Sequence, residues 1–330
     1  TILALIIFII PLSFLINMSF NKSILINSFS IRYIFLLISF FVNIYVFSQP
    51  NKRTNNWFFS DSIGIDFNSG EPVIGYPGPI DSLAWGSTSI MSDTNGDLLF
   101  YSDGFYVYNK NHETMQNSWA GPDYVEGVQS ALCMPKPGSD NLFYVFTANT
   151  FNLQYNQPLN FYHTLDMSLN NGLGGIIDTD TLPNAWDASE QLNASYFKDK
   201  SGYWIIMRKY REHKYAAWKV TSQGVDPYPI LSAAPNRYFP NGGAPNMGNV
   251  KISYNKKYII FNYCYGHSNQ SDIEICKFNN YIGVIEFLYS FKLKDLFNDN
   301  YKTPNGEFSP DSKYYYVAGY LPIENESHIY

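Results

Sequence analysis

Histidine is the side chain best suited to metal ligation or acid–base chemistry near neutral pH, and this chain has five. No HExxH or HxH pair occurs, so the histidines could ligate a metal only from separate parts of a fold. We interpret them as solvated or turn residues: His112, His163, His213, His267 and His328. No GxSxG nucleophile motif occurs, and nothing marks one pair of the many carboxylates as a glycosidase pair. The sequence therefore predicts no catalytic residue, no metal ligand and no cofactor.

Asp93, Asn95 and Asp97 have the spacing of the first oxygen ligands in a calcium-binding loop. Such a loop needs a glutamate at its twelfth position, and that position is Gly104. Asn95-Gly96 is also the preferred dipeptide of a tight two-residue hairpin turn, in which positive φ is needed. We predict a hairpin without bound calcium.

Two kinds of loop residue could contact a ligand. The segment Gly172–Gly175 (GLGG) lacks the spacing of a dinucleotide-binding fingerprint and no helical pattern follows it, so we predict an inter-strand loop. Trp119, Trp186 and Tyr238 lie in predicted loops and could stack on sugar rings. The alternative, which we favour, is that each packs under its own loop.

The cysteines Cys133, Cys264 and Cys276 are too few and too scattered for a disulfide framework or a zinc site. Cys264 and Cys276 could pair if two strands brought them together in an oxidising compartment. We favour buried thiols, because free cysteine is among the most buried residue types.

The composition excludes several classes of protein. Aromatic residues make up 18% of the chain and charged residues only 15%, which excludes a disordered chain and fits a β-rich fold. The net charge is −6 and no long Lys/Arg run occurs, so we predict no binding of nucleic acid.

Residues 1–48 contain two short apolar runs. From Met18, a weakly basic leader, an apolar stretch and small residues at Val46 and Ser48 match a cleaved secretion signal. We predict a signal peptide over 18–48, cleavage after Ser48, and a non-native upstream segment over 1–17. Both runs fall short of the roughly 20 residues of a membrane span. The alternative is a membrane hairpin of both runs that would anchor the domain.

A tight polar turn followed by an aromatic and aliphatic run occurs five times after the signal. Aligned on the last turn residue, the repeats are 44 to 61 residues apart, at Asp97, Asn141, Gly202, Lys257 and Lys313. These are blade lengths of a β-propeller with loop insertions. The stretches read SDTNGDLLFYSDG, KPGSDNLFYVFTA, KDKSGYWIIMRKY, SYNKKYIIFNYCY and SPDSKYYYVAGY.

The run after each turn is apolar at consecutive positions, as in Tyr203–Met207. Such a run indicates a strand covered on both faces, either in a propeller blade or in the core of a β-sandwich. The repeated turn-and-run unit favours the propeller. We therefore predict an all-β fold, a β-propeller of four-stranded antiparallel blades over 49–330.

These stretches resemble a known family. Together with NNWFF from Asn55, GIDF from Gly64 and the segments from Val128, Leu165 and Asn305, they are similar to the N-terminal WD40-like propeller of large secreted or surface proteins of gliding bacteria. Those proteins carry a gliding-motility-associated or type IX secretion C-terminal domain. The resemblance covers Asn55 to Tyr330 and implies about seven blades, export, and no catalytic residues.

The chain departs from this family at its end, because Tyr330 comes about one strand into the fifth repeat. We therefore expect about four to five of seven blades, a domain truncated at its C-terminus. A propeller closes by pairing its first and last blades. We accordingly expect an open arc that self-associates or is unstable.

The function expected from the sequence is a non-enzymatic interaction or structural module of a secreted or cell-surface bacterial protein. Its partner is a protein or a surface polysaccharide, and it meets a membrane only through an uncleaved signal segment. The alternative is a carbohydrate-active propeller enzyme, a glycoside hydrolase or lyase. A propeller has a central channel, and a cluster of carboxylate, His, Tyr or Arg side chains at one end of that channel would favour the enzyme over the binding module.

Overall fold

The computed structural model describes residues 52–59, 63–75, 88–118, 129, 131–148, 160–209, 212–235, 248–264, 271–292, 302–321 and 326–329. They belong to one compact unit that begins at Asn51. The predicted signal peptide, its cleavage site after Ser48 and the segment 1–17 lie outside these ranges. No helix within them is long and apolar enough to cross a membrane.

Antiparallel pairing between strands that are close in sequence gives six sheets in the described residues. Sheet 1 is β1 (Asn56–Phe59), β2 (Ile63–Asp66) and β3 (Val73–Gly75); sheet 2 is β4 (Ser89–Ser92), β5 (Leu98–Ser102) and β6 (Val107–Asn109); sheet 3 is β7 (Ala131–Pro135), β8 (Leu142–Thr147), β9 (Phe161–Asp166) and β10 (Gly175–Thr181). Sheet 4 is β11 (Asn193–Tyr196), β12 (Tyr203–Lys209), β13 (Lys214–Thr221), β14 (Gly224–Val225) and β15 (Ile230–Ala233); sheet 5 is β16 (Gly248–Ile252), β17 (Tyr258–Cys264), β18 (Ser271–Asn279) and β19 (Val284–Lys292); sheet 6 is β20 (Lys302–Phe308), β21 (Tyr315–Leu321) and β22 (Glu326–Ile329).

The five repeated turns join the first and second strands of sheets 2 to 6, and they share one hydrogen bond. In each turn the backbone N–H of one residue donates to the carbonyl three residues earlier. The donor and acceptor pairs are Gly96 and Asp93, Ser139 and Lys136, Lys200 and Phe197, Lys256 and Ser253, and Ser312 and Ser309. The sequence repeat therefore corresponds to a repeated local structure.

The hairpin predicted at Asn95-Gly96 is confirmed, but its turn is longer than two residues. Asp93 N–H donates to Asp97 O across a three-residue loop, and only Gly96 of the predicted pair has positive φ, at 98°. The Asp93 carboxylate explains the difference, because its Oδ1 accepts the backbone N–H of Asn95 at 2.8 Å and of Asp97 at 2.9 Å. Burial acts to raise the pKa of Asp93, but these backbone donors hold it below its usual value. The absence of calcium stays a prediction.

Consecutive sheets pack face to face, so the middle strands are covered on both sides. In β12 all seven residues are buried. Ile205 and Met207 pack in a cluster with sheet 3, whereas Trp204 and Ile206 pack in a cluster with sheet 5. Similar clusters join sheets 1 and 2, 2 and 3, and 5 and 6. This confirms the two-sided burial predicted from the consecutive apolar runs, and with it the all-β propeller fold.

First strands of neighbouring sheets contact one another, as β4 does with β7 and β16 with β20. The edge of β16 that is not paired with β17 is bonded by side-chain amides: Val250 N–H donates to Gln129 Oε1 at 2.6 Å, and Val250 O accepts from Asn193 Nδ2 at 2.8 Å. Gln129 precedes sheet 3 in the chain, so its side chain links that segment to sheet 5.

Six sheets are one more than the five repeats indicate. Sheet 1 was not counted because its segment is not among the five turn-and-run stretches recognised in the sequence. Sheet 6 has three strands, whereas the sequence predicted about one strand there. The prediction missed β20 because this strand precedes the turn by which the repeat was recognised. The last described sheet also exposes aromatic residues on one face, where Tyr314 is 64% and Tyr316 49% exposed.

Sheet 1 is attached to the turn of sheet 2 by close contacts to Gly96. The Nδ2 groups of Asn56 and Asn68 donate to Gly96 O at 2.8 and 2.9 Å, and a Cβ on Gly96 would lie 1.8 Å from Asn68 Oδ1. Gly70 has nearly the same φ, 95°, with open space around it.

We predict that Gly70→Ala lowers the free energy of unfolding by about 1 kcal/mol, the cost of positive φ alone. Gly96→Ala should cost about 1–3 kcal/mol more, because Asn68 must also move. Chemical denaturation of both variants measures the difference. Equal losses would contradict the contact between sheet 1 and the turn.

Candidate functional site

The histidines do not converge in the part of the chain that the structure describes. His112 and His213 lie in turns with φ of 66° and 52°, as expected. For His163 the interpretation is wrong: it is buried on β9, bonded to Thr179 Oγ1 at 2.9 Å, and burial lowers its pKa to about 4. His328 lies in β22, and His267 lies outside the described residues. Within those residues, no three His, Cys, Asp or Glu side chains group as metal ligands.

The predicted inter-strand loop at Gly172–Gly175 is confirmed, as a short 3₁₀ turn that leads into β10. Trp186 lies between β10 and β11 and is 43% exposed, with Lys209 Nζ 5.6 Å from its ring centroid. Trp119 and Tyr238 lie outside the described residues.

Cysteine pairing is excluded by strand register. Cys264 lies opposite Ser271, whereas Cys276 lies opposite Ile259. The two cysteines are therefore five residues apart along the strand pair, on the order of 16 Å, too far for a disulfide. Cys133 and Cys276 are buried and form no disulfide, and burial raises the pKa of Cys133 to about 12.

A buried charge cluster lies between sheets 4 and 5, at the ends of the strands opposite the repeated turns. Glu274 Oε2 accepts hydrogen bonds from Tyr263 Oη at 2.6 Å and Tyr215 Oη at 2.8 Å, and Arg208 Nε lies 3.4 Å away. Arg208 also donates to Pro235 O at 2.8 Å. Burial, with Tyr263 and Glu274 nearby, raises the pKa of Tyr215 far above its usual value.

This cluster contains the residue types that an enzyme would need, but it is closed. The side chains of Arg208 and Glu274 are 1% and 0% exposed, and Glu274 is held by Arg208, Tyr215 and Tyr263. Lys209 beside it is paired as well, with Nζ 2.8 Å from Asp187 Oδ1 and 3.0 Å from Glu212 Oε1. We interpret the Glu274 cluster as an internal support of the contact between sheets 4 and 5, and the Lys209 pairs as a support within sheet 4 and its loops.

An open cleft lies between the same two sheets at the opposite end, beside the repeated turns. It encloses about 300 Å³ between the β11–β12 turn and the β18–β19 turn. We call it the lysine–tyrosine cleft; its lining includes Phe197, Lys198, Asp199, Lys219, Asn280 and Tyr281. A volume near 300 Å³ is at the lower end of the range for small-molecule sites.

The floor of this cleft is fixed by Trp204. Its Nε1 donates to Asn280 O at 2.9 Å, and its ring packs against Phe197 with centroids 4.9 Å apart. Gly283 allows the close approach of the β18–β19 turn, because a Cβ there would lie 2.7 Å from the Trp204 ring and its φ is 72°. The two sheets are therefore held in register at the cleft.

The walls of the cleft carry charges and an exposed aromatic ring. Lys198 Nζ lies 4.5 Å from the ring centroid of Tyr281, which is 67% exposed. Lys219 Nζ lies 6.0 Å from the ring of Phe197. Asp199 accepts hydrogen bonds from Ser201 N–H and Oγ, which, with the charge of Lys219, hold its pKa below the usual value. At neutral pH the cleft thus presents two ammonium groups, one carboxylate and an aromatic face.

Sequence reasoning missed this cleft. Its two walls come from segments about 80 residues apart, and neither segment carries a known motif. The available signal was local: Tyr281 and Ile282 are large apolar residues within a tight turn between two strands, where polar residues are usual.

Comparison with known proteins adds a likeness of fold. No family model and no curated protein sequence matches the chain. Among solved structures, a putative 6-phosphogluconolactonase from Bacteroides fragilis is 12% identical with a TM-score of 0.47, covering 83% of this chain and 75% of its own. The Dos1 propeller is 13% identical with a TM-score of 0.41, covering 71% and 52%. An oligogalacturonate lyase from Vibrio parahaemolyticus is 10% identical with a TM-score of 0.42, covering 81% and 70%. Such scores do not bear on activity, and the propeller assignment rests on strand pairing and inter-sheet packing.

We predict that Glu274→Gln lowers the free energy of unfolding by about 3–5 kcal/mol, because it leaves Arg208 buried without its counter-charge. The matched control is Glu286→Gln on the exposed face of β19, which should change stability by less than about 0.5 kcal/mol. Thermal or chemical unfolding measures both. A Glu274→Gln variant as stable as the control would contradict the supporting role.

Proposed function

We propose that this propeller is a non-enzymatic binding module of an exported bacterial surface protein, with the lysine–tyrosine cleft as its ligand site. The observation that carries the proposal is the open cleft itself, in which Lys198, Lys219 and Tyr281 face solvent from two neighbouring sheets. Ammonium groups and aromatic rings recognise ligands through charge and contact area. The ligand is a protein or a surface polysaccharide.

The architecture supports a binding role for the cleft. Its walls are turns between paired strands, and its floor is a buried tryptophan bonded across the two sheets. Sites built on rigid elements lose little conformational freedom when a ligand binds. The groups best suited to acid–base chemistry, Glu274 with Tyr215 and Tyr263, are instead enclosed between the sheets.

The cellular location is part of the proposal and depends on the sequence. The segment from Met18 to Ser48 has the features of a cleaved secretion signal. The resemblance to propellers of gliding-bacterial surface proteins supports attachment to the cell surface, with type IX secretion as the route.

We expect affinity electrophoresis through gels containing soluble polysaccharides to retard the chain in at least one gel, and Tyr281→Ala to reduce that retardation. The control is Tyr314→Ala, because Tyr314 is similarly exposed, at 64%, but lies just before β21 of sheet 6. The retained polysaccharide should keep its length after prolonged incubation with the chain. Shortening would favour the hydrolase or lyase alternative, and the absence of retardation in every gel would contradict polysaccharide binding.

We also expect a chain that starts at Met18 to be cleaved after Ser48 in an exporting bacterial host. N-terminal sequencing of the exported product should begin at Gln49. Retention of residues 33–48 would contradict the cleaved signal and favour the membrane anchor.

A further inference from the structure

We propose that the lysine–tyrosine cleft binds an acidic polysaccharide through the carboxylates of its sugar residues. This inference rests on the proposed function, because it names the ligand class of the same cleft. Its basis is the combination of cations, one acceptor carboxylate and an aromatic face in one small space.

The lining of the cleft carries a net positive charge, although the whole chain has a net charge of −6. Lys198 and Lys219 line it, and Asp199 is the one carboxylate among the described lining residues. An anionic ligand would therefore meet more positive than negative charge in the cleft.

The carboxylate of Asp199 selects among anions. It is an acceptor when ionised, so a ligand beside it must donate hydrogen bonds, as sugar hydroxyl groups do. A polymer with a phosphate on every unit would instead bring negative charge close to Asp199. The hydroxyl groups of Ser201 and Thr221 and the amide of Asn280 add further polar partners in the lining. A chain with both hydroxyl groups and spaced carboxylates fits this set.

Tyr281 supplies the contact surface for a sugar ring. Its ring is two-thirds exposed and stands at the rim of the cleft, while Phe197 and Trp204 form the floor. Aromatic side chains provide large apolar contact area with a polar edge. A neutral sugar would use this surface alone, whereas an acidic sugar would also pair with Lys198 and Lys219.

Isothermal titration of the purified chain with polygalacturonate and with its fully methyl-esterified form tests the proposal, since esterification removes the carboxylate charges and leaves the sugar rings and their linkage unchanged. We expect the dissociation constant to be at least about tenfold higher for the ester, and at least about tenfold higher for Lys219→Gln with the acid form. Binding should weaken as salt is raised. The matched control is Lys136→Gln. Lys136 lies in the β7–β8 turn of sheet 3, with its Nζ 5.6 Å from the centroid of the Tyr144 ring.

Three outcomes would overturn the proposal: equal affinity for the two polymers, an equal loss for Lys136→Gln and Lys219→Gln, or no binding of polygalacturonate. If the two polymers bind with equal affinity and Tyr281→Ala weakens the binding of both, the cleft is a polysaccharide site without a preference for acidic sugars. Retardation in none of the polysaccharide gels would instead remove polysaccharide binding altogether.

Discussion

Contact between the faces of neighbouring sheets is the interaction on which the rest of this structure depends. A sheet of three to five strands here has no core of its own, because its side chains alternate between two neighbours. In β12, Ile205 and Met207 belong to one cluster and Trp204 and Ile206 to the next. Sheet 4 is therefore stabilised by sheets 3 and 5 together. Stability in such arrays comes largely from the interfaces between neighbouring units.

The interface between sheets 4 and 5 has different chemistry at its two ends. At one end Glu274 is enclosed between the sheets with Arg208, Tyr215 and Tyr263 around it. At the other end the β11–β12 and β18–β19 turns stay apart and leave the lysine–tyrosine cleft. The buried cluster fixes how the sheets meet, because charges enclosed between them must remain paired. The same contact therefore determines the spacing of the two turns that form the cleft.

Much of the fold could be predicted from the sequence because the local signals are strong. The five polar turns were recognised, and each forms the same hydrogen bond between the first two strands of a sheet. Consecutive apolar residues such as Tyr203–Met207 correctly indicated burial on both faces. Sheet 1 was missed because its segment is not among the five turn-and-run stretches, and the two-residue turn at Asn95-Gly96 was wrong because the Asp93 carboxylate closes a longer loop.

The candidate site could not be predicted, because it depends on which turns become neighbours. Lys198 and Tyr281 are about 80 residues apart and meet only when sheets 4 and 5 pack. A run of consecutive apolar residues indicates that a strand is covered on both faces, but it does not show which other strands cover it. For the same reason His163 was interpreted as a turn or solvated residue, although β9 places it inside sheet 3.

The packing of sheet 4 on sheet 5 is tested most directly by a double-mutant cycle between Tyr215 and Phe261, whose rings stack across the interface with centroids 4.9 Å apart. Tyr215→Leu, Phe261→Leu and the double variant are compared by chemical denaturation, and the cycle cancels the loss of the Tyr215 hydroxyl group. We predict a coupling free energy of about 0.5–1.5 kcal/mol. A coupling of zero within error would contradict the contact between these sheets, and with it the buried cluster and the cleft.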